Sequence, residues 1–500
     1  MSTPTKKVIV IGAGFAGMSA ASFLAQKGWD VTIIEKNNLP GGRARKYSAE
    51  GFTFDMGPSW YWMPDVFENY FEKFGKKVAD YYKLQRLDPS YRVYFEKEAW
   101  DLPANYDALR NLLESIEPGA AKALDAFLEE AKYKYEVGVG KIVYKPGISV
   151  TELLDIDLIK GVFKLDVFQS MKKHVAKYFK HPSIQFLMEF PVLFLGALPE
   201  NTPALYSLMN YGDIKGGTWY PEFGMYSIVQ AMHDVAVSLG VKFNLSEEVI
   251  HIEVNNGAAT SLTTKLYGSG EEQLYTFDVL VGAGDYHHIE TELLPQKYQS
   301  YSTAYWDSRV MAPSSLLFYV GLNKKLPGLL HHNLFFDTDF GLHGKEIYSD
   351  PKWPTKPLFY ASLPSVTDPT VAPEGCENLF LLIPIAAGLE GDTEEVRAIY
   401  FNDIIERLEK RSGHTIKDSI IYKRSYSVTE FKDDYHSFRG NAYGLANTLL
   451  QTANLKPSCK SKKVNNLYYT GQLTIPGPGV PPSLISGEVV ATLVDKIHNK

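Results

Sequence analysis

Residues 6–45 read KKVIVIGAGFAGMSAASFLAQKGWDVTIIEKNNLPGGRAR, and this stretch decides the fold. Val8 to Ile11 form an apolar run short enough for a buried parallel strand, feeding directly into Gly12, Gly14 and Gly17 at the spacing GxGxxG. Gly12 permits the tight turn, Gly14 lets the backbone approach a pyrophosphate without an intervening Cβ, and Gly17 lets the next helix pack closely on the strand. The pattern predicts a helix over Ala16 to Lys27, opening at Phe15 and Ala16. Unpaired N–H groups and the helix dipole at that end favour an anion. A second strand, Val31 to Ile34, ends at Glu35 and Lys36, about 20 residues past the turn, where a carboxylate accepts hydrogen bonds from ribose hydroxyls.

Gly41, Gly42 and Arg43 follow, and with them the chain resembles flavoproteins of the glutathione reductase type, within them the amine oxidase and carotenoid desaturase branch. In that branch a GGR segment lies against the pyrophosphate of FAD. The resemblance implies FAD as the cofactor and makes Arg43 a phosphate or flavin contact.

At 500 residues, with 45% hydrophobic and 22% charged content, the chain suits a large globular protein of two interwoven domains. A formal charge of −7 gives no reason to expect nucleic acid. Cys376 and Cys459 are too few for a disulfide framework or a thiolate metal site, and a reducing compartment is expected. No amino-terminal signal is read, since the first apolar run is already the nucleotide strand. A spanning segment of about 20 apolar residues is not expected either.

Residues 465–500, NNLYYTGQLTIPGPGVPPSLISGEVVATLVDKIHNK, read as a strand over Leu467 to Thr470, a glycine-proline loop, and a final helix beginning near Pro482 or Ser483. The loop is stiff and nearly free of side-chain bulk, so a flat ring system fits against its backbone. Gly471, Gln472, Gly479, Val480 and Pro481 are expected there, with the helix amino terminus favouring negative charge on a reduced flavin. Paired with the amino-terminal unit, this end resembles the bacterial phytoene desaturase family.

Three further segments share that resemblance. EGFTFDMGPSWYWMP, residues 50–64, resembles an element passing beside the flavin, which makes Met56, Gly57, Pro58 and Ser59 cofactor neighbours. The aromatic cluster Trp60, Tyr61 and Trp62 suits either a polyene tunnel or ordinary core packing. Residues 216–254 resemble the return to the FAD domain, whose last strand places Val249 against the adenine. DVLVGAGDYHHIE, residues 278–290, imitates a second fingerprint through Gly282 and Gly284, but His287 stands where the third glycine belongs. An NAD domain is therefore not expected, and Gly282 and Ala283 are assigned to the adenine end of the FAD site.

Residues 157–181 hold six lysines against two aspartates with apolar residues at near-helical spacing, suited to a helix on an anionic membrane face. The next stretch, SIQFLMEFPVLFLGALP, is apolar, too short to span a bilayer and interrupted by Pro191, and suits a greasy substrate entrance. A solvated lysine face beside a core helix is the plainer alternative.

Taken from first strand to final helix, the resemblance implies an α/β fold with a glutathione-reductase-type Rossmann FAD domain, residues 1–90, 216–300 and 455–500. Residues 91–215 and 301–454 are expected to form an interwoven substrate-binding and membrane-associating domain, a mixed sheet with a helical membrane-facing part. The implied reaction is carotenoid desaturation. A hydride leaves an allylic carbon for the flavin and a neighbouring proton is lost, with phytoene as the leading substrate and neurosporene or lycopene as the product. A 1-hydroxycarotenoid 3,4-desaturase is the alternative; a carotenoid isomerase or a flavin amine oxidase is more remote. The expected partners are a long apolar carotenoid, a membrane surface on the cytoplasmic side, and O2 or a quinone as electron acceptor. No catalytic base is named by the sequence: Glu189, Asp213, Arg309 and the pairs His287–His288 and His331–His332 are weighed and left unassigned. No metal ligand spacing is found.

Overall fold

The computed structural model describes residues 5–148, 166, 169–448, 450–452 and 455–499. Lys7–Ile11 (β1) runs into helix Phe15–Gln26 (α1), and Asp30–Glu35 (β2) lies parallel to β1 with Val10 opposite Ile33. Three later strands join them: Lys242–Leu245 (β3), Val279–Gly282 (β4) and Leu467–Tyr469 (β5). The all-parallel sheet has the order β5-β4-β1-β2-β3, the doubly wound arrangement in which ligands bind beyond the carboxyl ends of the strands. The fingerprint-like segment at Gly282 is thus the end of β4, a strand of the same sheet.

The final helix, Val480–His498 (α2), begins two residues earlier than the sequence suggests, because Pro481 and Pro482 occupy its first turn, where a missing N–H costs nothing. It packs on α1 at very close range. A Cβ on Gly487 would lie 2.4 Å from the Ala16 carbonyl oxygen, and Ser19 Oγ donates to the Leu484 carbonyl at 2.7 Å. The two ends of the fold are thereby joined over the parallel sheet.

A second, mixed sheet of seven strands comes from residues 91–102 and 314–426. Strand Ser314–Leu322 is buried at every position and pairs antiparallel with Glu377–Ile385 on one side and Ile420–Tyr426 on the other. Its two faces meet different cores. Leu316, Phe318 and Val320 pack toward helix Glu394–Ser412, with Phe318 5.0 Å from Phe401, while Ser315 and Leu317 face back toward the nucleotide-binding half. Pairing across the sheet sets Leu317, Leu382, Tyr360 and Leu334 in one row, all on that inner face.

Residues 157–165, 167 and 168 of the lysine-rich stretch lie outside the described residues. Its remainder contains helix Met171–Tyr178, with Lys172, Lys173 and Lys177 exposed and Met171, His174 and Val175 buried. Among the described residues no helix is long and apolar enough to cross a membrane.

Candidate functional site

One cavity of about 490 Å³ runs from the carboxyl ends of β1 and β2 to the inner face of the mixed sheet. At the first end Gly12, Gly14, Phe15 and Ala16 form its wall. Gly14 occupies the N-cap position of α1 without a capping side chain, so the first N–H groups of the helix are not met by one. A Cβ on Gly14 would find no atom within 4 Å, whereas one on Gly17 would lie 2.0 Å from the Gly12 carbonyl oxygen. The two glycines therefore do different work: Gly14 keeps space open, and Gly17 closes the helix onto the turn. Gly17 accordingly does not line the cavity.

Glu35 and Lys36 border the same end. Glu35 Oε2 accepts from the Ala13 N–H at 2.8 Å and Oε1 from the Asn37 N–H at 2.9 Å, so the carboxylate fixes the turn while it faces the cavity. Replacing Glu35 with Ala is expected to weaken FAD binding about tenfold to a hundredfold, the scale of losing one or two hydrogen bonds to a charged group. Titration of the cofactor-free protein with FAD checks this, and unchanged affinity would assign the ribose to another residue. Lys36 donates to the Asp433 carbonyl at 2.7 Å and its Nζ lies 3.1 Å from Nε2 of His436, which itself meets Glu248 at 2.6 Å. Val249 lines the wall beside Glu248.

Gly41, Gly42 and Arg43 pass over the open space in front of Gly14, with a Cβ on Gly42 3.3 Å from Gly14 Cα. The Arg43 guanidinium donates to Ser437 Oγ at 2.9 Å, and the Gln472 amide lies 2.9 Å from it. Its Nε is buried without a partner. Burial draws Arg43 below the usual guanidinium value, opposed by the Asp285 carboxylate.

Gly471, Gln472, Gly479, Val480 and Pro481 close the cavity from the other end of the chain. Ser486 on α2 fastens this loop: its Oγ donates to the Ile475 carbonyl at 2.6 Å and accepts the Gly471 N–H at 3.0 Å. Because Pro481 and Pro482 carry no N–H, Val480 supplies the donor of that helix's first turn. Gly57, Pro58, Ser59 and Ala283 also line the wall, but Met56 and Gly282 do not. Met56 turns its carbonyl to the Tyr319 hydroxyl at 2.7 Å, and a Cβ on Gly282 would strike Ile289 and Tyr469, which makes it a packing glycine.

The aromatic cluster divides by strand-like alternation. Trp60 and Trp62 line the cavity, whereas Tyr61 is wholly buried, stacked 4.4 Å from Phe67 and bonded to Tyr82 at 3.0 Å. Beyond the tryptophans the wall is Phe190, Leu193, Leu198, Met209, Phe336 and Phe340, with Leu317, Leu382, Tyr360 and Leu334 as floor. The apolar stretch 183–199 thus contributes cavity wall through Phe190, Leu193 and Leu198. The charged lining residues, Glu35, Lys36, Arg43, Glu247, Glu248, Asp285 and Asp434, stand at the end near β1 and β2; the half against the mixed sheet has none among the described residues.

Of the groups weighed as a base, Glu189 is pushed up to about 7 by burial, but its charged neighbours are Lys172 and Glu200 and it does not line the cavity. Asp213, pushed up to about 6 by burial, accepts from the Tyr91 hydroxyl at 2.7 Å away from the cavity. Arg309 stacks over Tyr305. His287 stacks on Phe438, and His288 borders the nucleotide end, stacked on His436. His331 bonds Thr367, and His332 meets the Tyr360 hydroxyl at 2.6 Å. Sequence reasoning weighed His288 only as a base and missed Asp285 and the run Asp434-Tyr435-His436, which lies within residues 301–454 yet borders the nucleotide end. Asp285 stands in the fingerprint-like segment 278–290, but no motif marks 434–436, which packing in space brings to this end.

A doubly wound parallel sheet whose open turn shares one cavity with an apolar chamber is the arrangement of an enzyme that binds a dinucleotide cofactor. The flavin containing amine oxidoreductase family matches residues 15–495. A carotenoid 3,4-desaturase from Haloarcula japonica is 40% identical over 97% of both chains, and a zeta-carotene-forming phytoene desaturase from Myxococcus xanthus is 29% identical over 98% of this chain and 94% of its own. An oxidoreductase structure from Methanosarcina mazei shares the fold with a TM-score of 0.60 at 16% identity, covering 97% of this chain and 100% of its own. The chain belongs to the flavin containing amine oxidoreductase family and, within it, to the carotenoid desaturases, FAD-dependent oxidoreductases acting on CH–CH bonds.

Proposed function

We propose that this protein desaturates phytoene, a hydrocarbon, and releases a more conjugated acyclic carotenoid. The observation that carries this reading is the half of the cavity against the mixed sheet, which is uncharged among the described residues. An ammonium substrate finds no carboxylate on this side among the described residues, whereas a polyene buries apolar surface against Phe190, Leu193, Met209 and Phe336 at roughly 25 cal/mol per Å². FAD supplies the two-electron acceptor that takes a hydride from an allylic carbon.

The chain's own residues have the remaining tasks. The uncapped start of α1, the space above Gly14 and the unpartnered Arg43 Nε suit the pyrophosphate; Glu35 suits the ribose and Val249 the adenine end. Gly57, Pro58, Ser59, Gly479, Val480 and Pro481 suit the flavin ring. Residues 1–90, 216–300 and 455–500 form the FAD-binding part in this proposal, supported by the placement of every strand of the parallel sheet within them. The exposed lysines of Met171–Tyr178 support a peripheral contact with an anionic membrane, from which the polyene enters. O2 or a quinone is the electron acceptor in this proposal, in keeping with β4 being a strand of the same parallel sheet and not of a separate nicotinamide domain.

A second reading, desaturation at the 3,4 position of a hydroxylated carotenoid, is favoured by the 40% identity to the Haloarcula japonica protein. FAD-loaded protein in liposomes decides between them. Phytoene is expected to develop the banded absorption of a longer polyene; an unchanged phytoene spectrum together with conversion of a 1-hydroxycarotenoid would reverse the order.

A further inference from the structure

Tyr360 is the polar member of the cavity's floor row, set between Leu382 and Leu334. One row along, His332 stands opposite Ser362, so strand pairing puts the two rings diagonally on the same face. The Tyr360 hydroxyl lies 2.6 Å from His332 Nδ1. His332 is 0% exposed, and its ring lies flat on Trp60, centroids 4.1 Å apart at 9°. Its Nε2 is buried without a partner. Burial, and His331 beside it, lower the imidazole's proton affinity, so the resting ring is neutral and readily gives back a proton it receives. With the ring proton on Nε2, Nδ1 accepts and the tyrosine hydroxyl donates.

The other titratable groups on this side are engaged differently. His343 accepts the Leu358 N–H at Nδ1 and meets the Pro384 carbonyl through Nε2 at 2.9 Å, so both ring nitrogens are taken. Tyr348 and Tyr443 face one another, and Tyr443 faces Ser315. The carboxylates of the lining belong to the nucleotide end. Tyr360 therefore joins a hydroxyl in the cavity wall, which also meets the Ser362 and Ser59 hydroxyls and stands near Tyr443, to a base buried behind it.

We propose that Tyr360 is the catalytic proton acceptor of the desaturation and that His332 is the positioning residue that takes the hydroxyl proton in the same step. The proposal rests on the reading of the protein as a desaturase that removes a hydride and a proton. In the H–C–C–H unit of the polyene, one hydrogen leaves with both bonding electrons for FAD. The neighbouring C–H bond breaks heterolytically; its electron pair becomes the second bond of the new C=C and its proton bonds to Tyr360 Oη. The hydroxyl's own proton moves to His332 Nδ1, and returns through Tyr360 to water once product has left. Two electrons leave the polyene, both go to FAD, and one proton is released.

Wild-type, Tyr360→Phe and His332→Asn proteins, matched for bound FAD and circular dichroism, would be mixed anaerobically with phytoene in liposomes, unlabelled or deuterated at the carbon that loses the proton. Loss of flavin absorbance is followed by stopped flow. Tyr360→Phe is expected to lower kcat about 100-fold with KM nearly unchanged and to raise the isotope effect at that carbon, the scale of general-base catalysis. His332→Asn, which keeps a polar group near Nδ1, is expected to lose about tenfold in kcat. A second readout needs no turnover: proton NMR should show a strongly downfield resonance from the buried 2.6 Å Tyr–His contact, absent in both variants. Wild-type kcat and isotope effect in Tyr360→Phe, a change confined to KM, or the absence of the downfield resonance from wild type would overturn the proposal. If wild type leaves phytoene unchanged, the phytoene reading fails, and the dyad stands or falls on the resonance and on the same kinetics with a 1-hydroxycarotenoid.

Discussion

Gly14→Val gives a folded, colourless protein. The expectation comes from where its side chain points: a Cβ at this position meets nothing within 4 Å, because it enters the cavity in front of α1. The valine Cβ enters space that the fold leaves open and meets no other part of the protein. FAD affinity should fall by more than about 100-fold, equivalent to roughly 3 kcal/mol, while the thermal midpoint of the cofactor-free protein stays close to that of cofactor-free wild type. FAD titration and a melting curve measure the two effects separately. Gly17→Val provides the contrast, since its Cβ would lie 2.0 Å from the Gly12 carbonyl oxygen, and that variant should lose the fold itself. A yellow, active Gly14→Val protein would show that the pyrophosphate takes another path.

Gly487→Val should be the most damaging single change in the final helix. Its Cβ would approach the Ala16 carbonyl oxygen at 2.4 Å, Ser19 Cβ at 2.6 Å and the Ala20 amide nitrogen at 2.7 Å. Two of these are backbone atoms inside α1, so no side-chain rotation relieves the collision, and the helices must separate. Separation also breaks the Ser19–Leu484 hydrogen bond and shifts Ser486, which fastens the loop at Gly471 and Ile475. A loss of at least about 3 kcal/mol is expected, at the upper end for overpacking. FAD and tertiary structure should be lost in one thermal transition, followed by flavin fluorescence and near-ultraviolet circular dichroism. Wild-type FAD retention and melting in this variant would mean that α1 and α2 do not meet at Gly487.

Position along the chain explains what the sequence makes legible. The turn at Gly12 to Gly17 and the carboxylate of Glu35 are close in sequence, so their spacing alone fixes strand, turn, helix and strand. The loop at Gly471 to Pro481 is readable because glycine and proline leave a bare backbone. The substrate floor is different. SSLLFYVGL is buried at all nine positions, so no alternation reveals that Ser315 and Leu317 face the cavity while Leu316 and Phe318 face a second core. The Tyr360–His332 pair depends on the register of two strands, and the sequence reading weighed His332 only beside His331. Trp60 and Trp62 separate from Tyr61 once local strand-like geometry is known; composition cannot divide them.

The strand order of the parallel sheet has a temporal consequence. β1 and β2 are made first, but β4 and β5 emerge after residues 279 and 467, and α2 follows last. During translation the apolar edge of β4 and the face of α1 that receives Gly487 remain uncovered while the mixed sheet is being synthesised. Cofactor capture must therefore come late, after an interval in which the nascent chain presents an unpaired strand edge and bare helix surface, the features that recruit chaperones and promote aggregation. Supplying FAD during expression should rescue chains that have passed this interval and do little for those lost within it.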